Sequence, residues 1–419
     1  MNAVNRIGEA ARLGTFGASQ IHFKERSAAP PAATPSYWLL LAFLTLLYAN
    51  TPFVLPAAEV IHPAKLIAAA AILVFAGELA LGRRKLEWSW PEGAWLLVFL
   101  AAAGVSCLTA LWPGYAADAA SDLIKMVIVY FFIVNCANTE RLLQGVMWVM
   151  VIGGLFPALG TLKNYLQGNL EEGRAAWVGI FANPNEVAYA LVILLPLLAY
   201  LAATRGWITR LLLLGVASLF LAAIFVTFSR GGLVGLAAVI GLYAWRKRNM
   251  WLRAALICGV VGAFLFTEKF WSRGEDFSQL NGDVSFQQRL ATSQAGLGMF
   301  QDHPFFGVGL NCSVIAWPLY APKGLYTRGA LITHNTIVQV LSETGMIGFI
   351  PFVLFIGIGV YQSRKLARRA ETANLGIAIE GALWGLVICG MSGGYVLTWF
   401  PYLLVGLAAS ARRIQGAPE

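Results

Sequence analysis

Along most of the chain, apolar residues run in blocks of about 20 separated by short polar joints, the length and spacing of helices that cross a bilayer. The blocks fall at 37–57, 63–81, 94–112, 120–137, 142–163, 186–203, 209–229, 231–246, 251–267, 346–362, 375–392 and 396–411. The pattern predicts an all-α polytopic membrane protein with about 12 transmembrane helices. Two joints, Ser229 to Gly232 and the one at Ser392-Gly393-Gly394, are short enough to read equally as kinks within one helix. The blocks stop once at length: from Glu268 to Thr333 roughly 65 residues lack a spanning segment, far more than a helix connection needs. A connection of that length usually carries function.

Composition agrees with the pattern. Of 419 residues, 58% are hydrophobic and 12% charged, and the mean hydropathy is +0.68, which excludes an ordinary soluble domain. Clusters of Lys and Arg mark cytoplasmic joints. They occur at Arg83-Arg84-Lys85, Arg246-Lys247-Arg248, Arg364-Lys365 with Arg368-Arg369, and Arg412-Arg413. Both termini are therefore expected in the cytoplasm, with the long interruption facing outward. The net charge of +9 follows from this topology and calls for no nucleic-acid partner.

The boundaries that result are a disordered cytoplasmic tail over 1–36, helices one to nine over 37–267, an outer loop region with surface helices over 268–345, helices ten to twelve over 346–411, and a short tail over 412–419. The first 36 residues hold an Ala/Pro run from Ser27 to Pro35 and no apolar core, so no cleavable signal peptide is expected. The five cysteines are scattered and suggest neither a disulfide framework nor a CxxC metal site. No internal repeat stands out, which weighs against a carrier built from duplicated halves.

Ionisable groups at the rim of a membrane are costly and tend to face a cavity. Arg230, in Thr227-Phe228-Ser229-Arg230-Gly231-Gly232, either snorkels to anchor a helix end or faces such a site. Arg289 belongs to a stretch in which Phe286, Leu290, Leu297 and Phe300 recur at near-helical spacing, predicting an amphipathic helix along the outer surface. There it either meets solvent or points into a site. Asp302 to Gly309 reads as turns, with His303 a turn residue.

His334 opens a predicted helix, with Thr333 as cap and Gly345 as its close. The positive end of the helix dipole then favours a neutral imidazole able to accept a proton, although a structural histidine in a buried turn fits the same position. Arg174 either joins an anionic site or pairs with Glu171. Asn183-Pro184-Asn185 reads as a turn into the sixth span, with Asn185 as cap.

Arginines on one face suit a diphosphate, whose oxygens match their planar fork, and they stabilise it as a leaving group. No Asp-x-Asp pair stands in an outer loop, so arginines are expected to play the part that Mg²⁺ plays in many transferases.

These pieces together resemble the bacterial O-antigen ligase family. They are Gly179-Ile180-Phe181-Ala182-Asn183-Pro184-Asn185, then Thr227 to Gly232, then Arg289 ahead of Asp302-His303-Pro304-Phe305-Phe306-Gly307-Val308-Gly309, then His334-Asn335 leading to Glu343-Thr344-Gly345-Met346-Ile347-Gly348. Their order and placement on one side over 174–348 carry the likeness, which the twelve-span layout extends to most of the chain beyond the N-terminal tail.

The resemblance implies a membrane-embedded glycosyltransferase of the type C class, active at the periplasmic face of the bacterial inner membrane. Such ligases move O-antigen polysaccharide from undecaprenyl diphosphate to a sugar of the lipid A core, completing lipopolysaccharide, without metal, nucleotide or other cofactor. The family's histidine and arginines map onto His334, Arg289 and Arg230, with Arg174 as a further candidate for the diphosphate. Two relatives of the same superfamily would share this site chemistry, an O-antigen polymerase and a protein O-oligosaccharyltransferase. A lipid-linked sugar transporter would instead need charges near mid-membrane, and Glu78, Lys125 and Glu380 all lie toward helix ends. The acceptor sugar, the glycan carried and the oligomeric state stay open.

Overall fold

The computed structural model describes residues 33–50, 62–171, 173–247, 250, 251, 253, 254, 259, 284–323, 331 and 333–416. The tail over 1–32, most of the expected ninth span at 251–267 and the start of the long interruption lie outside the described residues.

The chain forms a helical bundle. In order run α1 (Pro35–Ala49), α2 (Pro63–Ala80), α3 (Glu92–Leu108), α4 (Pro113–Cys136), α5 (Glu140–Gly153), α6 (Leu155–Leu166), α7 (Pro184–Ala203), α8 (Trp207–Val226), α9 (Arg230–Lys247), α10 (Val284–Asp302), α11 (Ser313–Tyr320), α12 (Thr336–Ala367), α13 (Ala373–Gly390) and α14 (Phe400–Ile414). Among the described residues, seven membrane-spanning candidates, one of them α5 and α6 taken together, are long and apolar enough to cross a bilayer, the pattern of a polytopic membrane protein. The helices α1 and α3 are apolar but shorter.

Both short joints are true breaks. Thr227, Phe228 and Ser229 separate α8 from α9, with Phe228 at φ 47°, and residues 391–399 separate α13 from α14. The fifth block, expected as one span, is interrupted at Gly154 between α5 and α6.

Burial sorts the helices. In α7, 78% of the apolar window is buried and in α13 72%, against 11% in α2 and 22% in α8. The first pair therefore forms the centre of the bundle, while α2 and α8 present their apolar sides outward. Close contact of α12 with α13 and α3, and of α7 with α13 and α8, completes the core.

At the end of the bundle carrying Arg246 and Arg412, buried carboxylates answer the basic clusters: Arg246 meets Glu380 at 2.5 Å and Arg412 meets Glu92 at 3.2 Å. Arg84 meets Glu78 at 3.3 Å. An unpaired charge at such depth would cost several kcal/mol, so these pairs account for glutamates inside apolar helices.

The helix α12 is broken at Gly345, whose φ of 61° and ψ of −166° are not helical. A break inside a spanning helix strands backbone groups that lipid cannot satisfy. The segment after α10 supplies their partners. Val308 N donates to Ser342 O at 2.9 Å and Gly309 N to Glu343 O at 3.1 Å, while Met346 N donates to Pro304 O at 2.9 Å and Ile347 N to Phe305 O at 3.2 Å.

The residues from Asp302 to Gly309 are thus a clamp on the broken helix. The backbones approach so closely that a Cβ on Gly345 would strike the carbonyl carbon of Phe305, and one on Gly307 would strike that of Glu343. Replacing Gly345 with alanine adds both this collision and a left-handed φ, a combination expected to cost about 3 kcal/mol or more. A clear fall in melting temperature of the detergent-purified protein checks it; an unchanged melt would contradict the clamp.

The helix α10 forms where expected, with small residues packed inward and its leucines on the outer side. Leu290 and Leu297 are 50% and 46% exposed, whereas Ala291, Thr292, Ala295 and Met299 are buried. The side chain of Phe286 lies outside the described residues. Small residues win that face because they let α10 approach α12 closely, leaving the large leucines at the outer edge.

Candidate active site

Three of the four cationic or basic residues singled out in the sequence line one cavity of about 390 Å³: Arg174, Arg289 and His334, with Glu171, Asn183, Asn185 and Gln288. They come from four parts of the chain. Arg174 sits in the connection before α7, the two asparagines at the start of α7, Arg289 on α10, and His334 just ahead of α12.

Arg174 does not choose between a site and Glu171 in the simple way expected. Its backbone pairs with that of Glu171, N to O at 2.9 Å in both directions. Its side chain turns elsewhere, Nε donating to Thr227 O at 2.9 Å and a terminal nitrogen to Asn185 Oδ1 at 2.7 Å. The same Asn185 oxygen accepts from Ser229 Oγ at 2.8 Å. Asn185 is therefore a hub joining the Arg174 connection, the start of α7 and the break between α8 and α9.

The cap of α7 is Asn183, whose side chain accepts from Asn185 N at 2.9 Å. Pro184 at the first helical position fixes that turn. Asn185 is thus not the cap; its side chain is released for the arginine.

Arg230 is the first residue of α9 and half-buried. It does not line the cavity, but it follows Ser229 directly, so the Ser229 to Asn185 bond ties its turn to the cavity wall.

His334 stands one place before the cap of α12. Asn335, not Thr333, is that cap, its side chain accepting from Ile337 N at 3.0 Å and Val338 N at 3.3 Å. Burial first, and the Arg289 guanidinium second, hold His334 below its ordinary pKa of 6.5. The shift runs in the direction expected, toward the neutral form, and its causes are not the helix dipole: a buried imidazolium loses hydration and meets a like charge.

Sequence reasoning quoted Glu343 only as part of a motif and gave it no role of its own. It is fully buried, accepts from Ser313 Oγ at 2.5 Å and from Gln339 Nε2 at 3.4 Å, and so ties α11 to α12. A glutamate in an otherwise apolar run was the available signal. Among the described residues no group of three or more His, Cys, Asp or Glu converges to hold a metal ion.

The fold and cavity define a polytopic helical membrane protein in which two arginines and a histidine line one cavity. Residues 215–353, about a third of the chain, match the family described as O-Antigen ligase. The matched span contains Arg230, Arg289 and His334, while Arg174 and Asn185 precede it. No curated protein matches the chain. The family is glycosyltransferase-like, within the ligase/polymerase superfamily, and its substrates are lipid-linked glycans.

Proposed function

We propose that this protein is an O-antigen ligase that transfers polysaccharide from undecaprenyl diphosphate to a sugar of the lipid A core at the periplasmic face of the inner membrane. The observation that carries the reading is the meeting of Arg174, Arg289 and a neutral His334 around one cavity. Arg174 and Arg289 hold the diphosphate, with Arg230 added from the start of α9.

His334 takes the proton of the acceptor hydroxyl as its oxygen attacks the anomeric carbon of the first donor sugar. The new glycosidic C–O bond forms as the sugar–phosphate C–O bond breaks, and the electron pair leaves with the diphosphate, whose growing charge the guanidinium groups stabilise. Displacement in one step inverts the anomeric centre. The imidazolium then returns its proton to water. The chemistry calls on no cofactor.

Purified protein in liposomes, given lipid-linked polysaccharide and rough lipopolysaccharide, is expected to produce elaborated lipopolysaccharide. Lengthening of the donor without lipopolysaccharide would identify a polymerase, transfer to serine or threonine a protein oligosaccharyltransferase, and movement across the bilayer without a new glycosidic bond a transporter.

Asn185 gives a finer check of the donor side. Replacing it with leucine removes the acceptor that orients Arg174 at 2.7 Å. The loss of one hydrogen bond to a charged group, about 1.5 kcal/mol, is expected to raise the KM for donor about tenfold with less effect on kcat. An unchanged donor KM would exclude Arg174 from the diphosphate site.

A further inference from the structure

The connection between α13 and α14, residues 391–399, lies outside the matched family segment yet reaches the turn that carries His334. Thr336, the first residue of α12 and two places after His334, is held from both sides by this connection: its hydroxyl donates to Gly393 O at 2.7 Å and accepts from Tyr395 N at 3.0 Å. One turn on, Gln339 N bonds back to Asn335 O at 2.8 Å. Its side chain lies where a Cβ on Gly394 would come within 2.8 Å of Oε1.

The same connection reaches the arginine side. Tyr189 of α7, fully buried, donates to Ser392 O at 3.3 Å. Its hydroxyl also presses on Gly231, immediately after Arg230, so closely that a Cβ there would collide with it. Residues 392–395 thus touch the base of the histidine turn through Thr336 and the base of the Arg230 turn through Tyr189.

We propose that the α13–α14 connection is the element that fixes His334 relative to the arginine side of the site, and that Thr336 is a positioning residue for His334. The inference rests on the reading of His334 as the base. A spanning helix anchored only along its length can still rotate or slide at its first turn, where the backbone lacks intrahelical partners. A hydroxyl bonded twice to a neighbouring backbone removes that freedom. Its exchange for a methyl group of the same shape leaves the packing and deletes both bonds.

The test compares Thr336→Val, Thr336→Ser and His334→Ala with wild type in the full-length purified protein, using a polyprenyl-diphosphate-linked oligosaccharide and rough lipopolysaccharide. Rates are normalised to the donor-binding fraction, so a lower yield of folded protein does not enter. Thr336→Val is expected to lower kcat about 10- to 100-fold with donor KM unchanged. Thr336→Ser, which restores the hydroxyl, is expected to return kcat to within about threefold of wild type.

A Thr336→Val enzyme with normal kcat, beside an inactive His334→Ala, overturns the positioning role and leaves the base in place. So does a loss that Thr336→Ser fails to rescue, because packing and not the hydroxyl would then matter. An active His334→Ala enzyme removes the base itself, and the inference falls with it.

Discussion

Replacing His334 with alanine is expected to abolish glycan transfer while the lipid-linked donor still binds. Among the residues that line the cavity His334 is the one imidazole, and burial with the nearby Arg289 disfavours its charged form, so it is poised to accept a proton. General base catalysis by a positioned side chain contributes about 100- to 10,000-fold, and the fall in kcat should lie in that range.

Donor affinity should hold, because the diphosphate is assigned to the arginines. In the wild-type enzyme the acid limb of kcat/KM should fall below pH 6.5, since His334 is held under that value and must lose its proton before it can serve as base. Substantial transfer by His334→Ala, or an acid limb above pH 6.5, would take the histidine out of the reaction.

Replacing Arg289 with glutamine is expected to do two things that no merely structural arginine would do together. Loss of one preorganised donor at a developing charge costs about 100- to 1,000-fold in rate, so kcat/KM should drop by that order. Arg289 is also the second cause of the lowered His334 pKa.

The sign is fixed by electrostatics: a nearby cation disfavours the imidazolium, so its removal lets the pKa climb toward 6.5 and moves the acid limb to higher pH. A slower enzyme with an unmoved acid limb would mean that the two side chains do not share a site in the working protein. Lysine at the same position keeps the charge but not the planar fork, and should recover the pH profile better than the rate.

Much of this architecture was legible as apolar blocks. The helices α7, α8, α9, α13 and α14 begin and end close to the expected limits, because hydrocarbon length sets a coarse ruler that the sequence must satisfy. What escaped was decided by neighbours.

Leu290 and Leu297 gave α10 an apolar outer side, and what the spacing did not show is the inner face of Ala291, Ala295 and Met299. In a bilayer, large apolar residues can remain outside while small ones permit close approach, so the packing face is not read from hydrophobicity alone. Both caps shifted. Asn183 in place of Asn185, and Asn335 in place of Thr333, hold the helix starts, because which polar residue caps depends on which other side chain claims it, here Arg174 on Asn185.

The stretch from Asp302 to Gly309 read as turns. Its purpose, closing the break at Gly345, depends on a contact between segments roughly 40 residues apart that periodicity does not encode. That His334, Arg289 and Arg174 share a site was implied by the family resemblance, whereas periodicity showed them only as separate basic groups. Arg230 shows the converse, a prominent motif whose arginine stands beside the cavity wall and does not line it.

The most direct measurement is a structure of the full-length protein in lipid with a non-transferable polyprenyl diphosphate glycan. The phosphate oxygens should lie within hydrogen-bonding distance of the Arg174 and Arg289 guanidinium groups, with the anomeric carbon turned toward His334. Phosphates bound outside that cavity, with His334 facing no sugar, would contradict the assignment of this site.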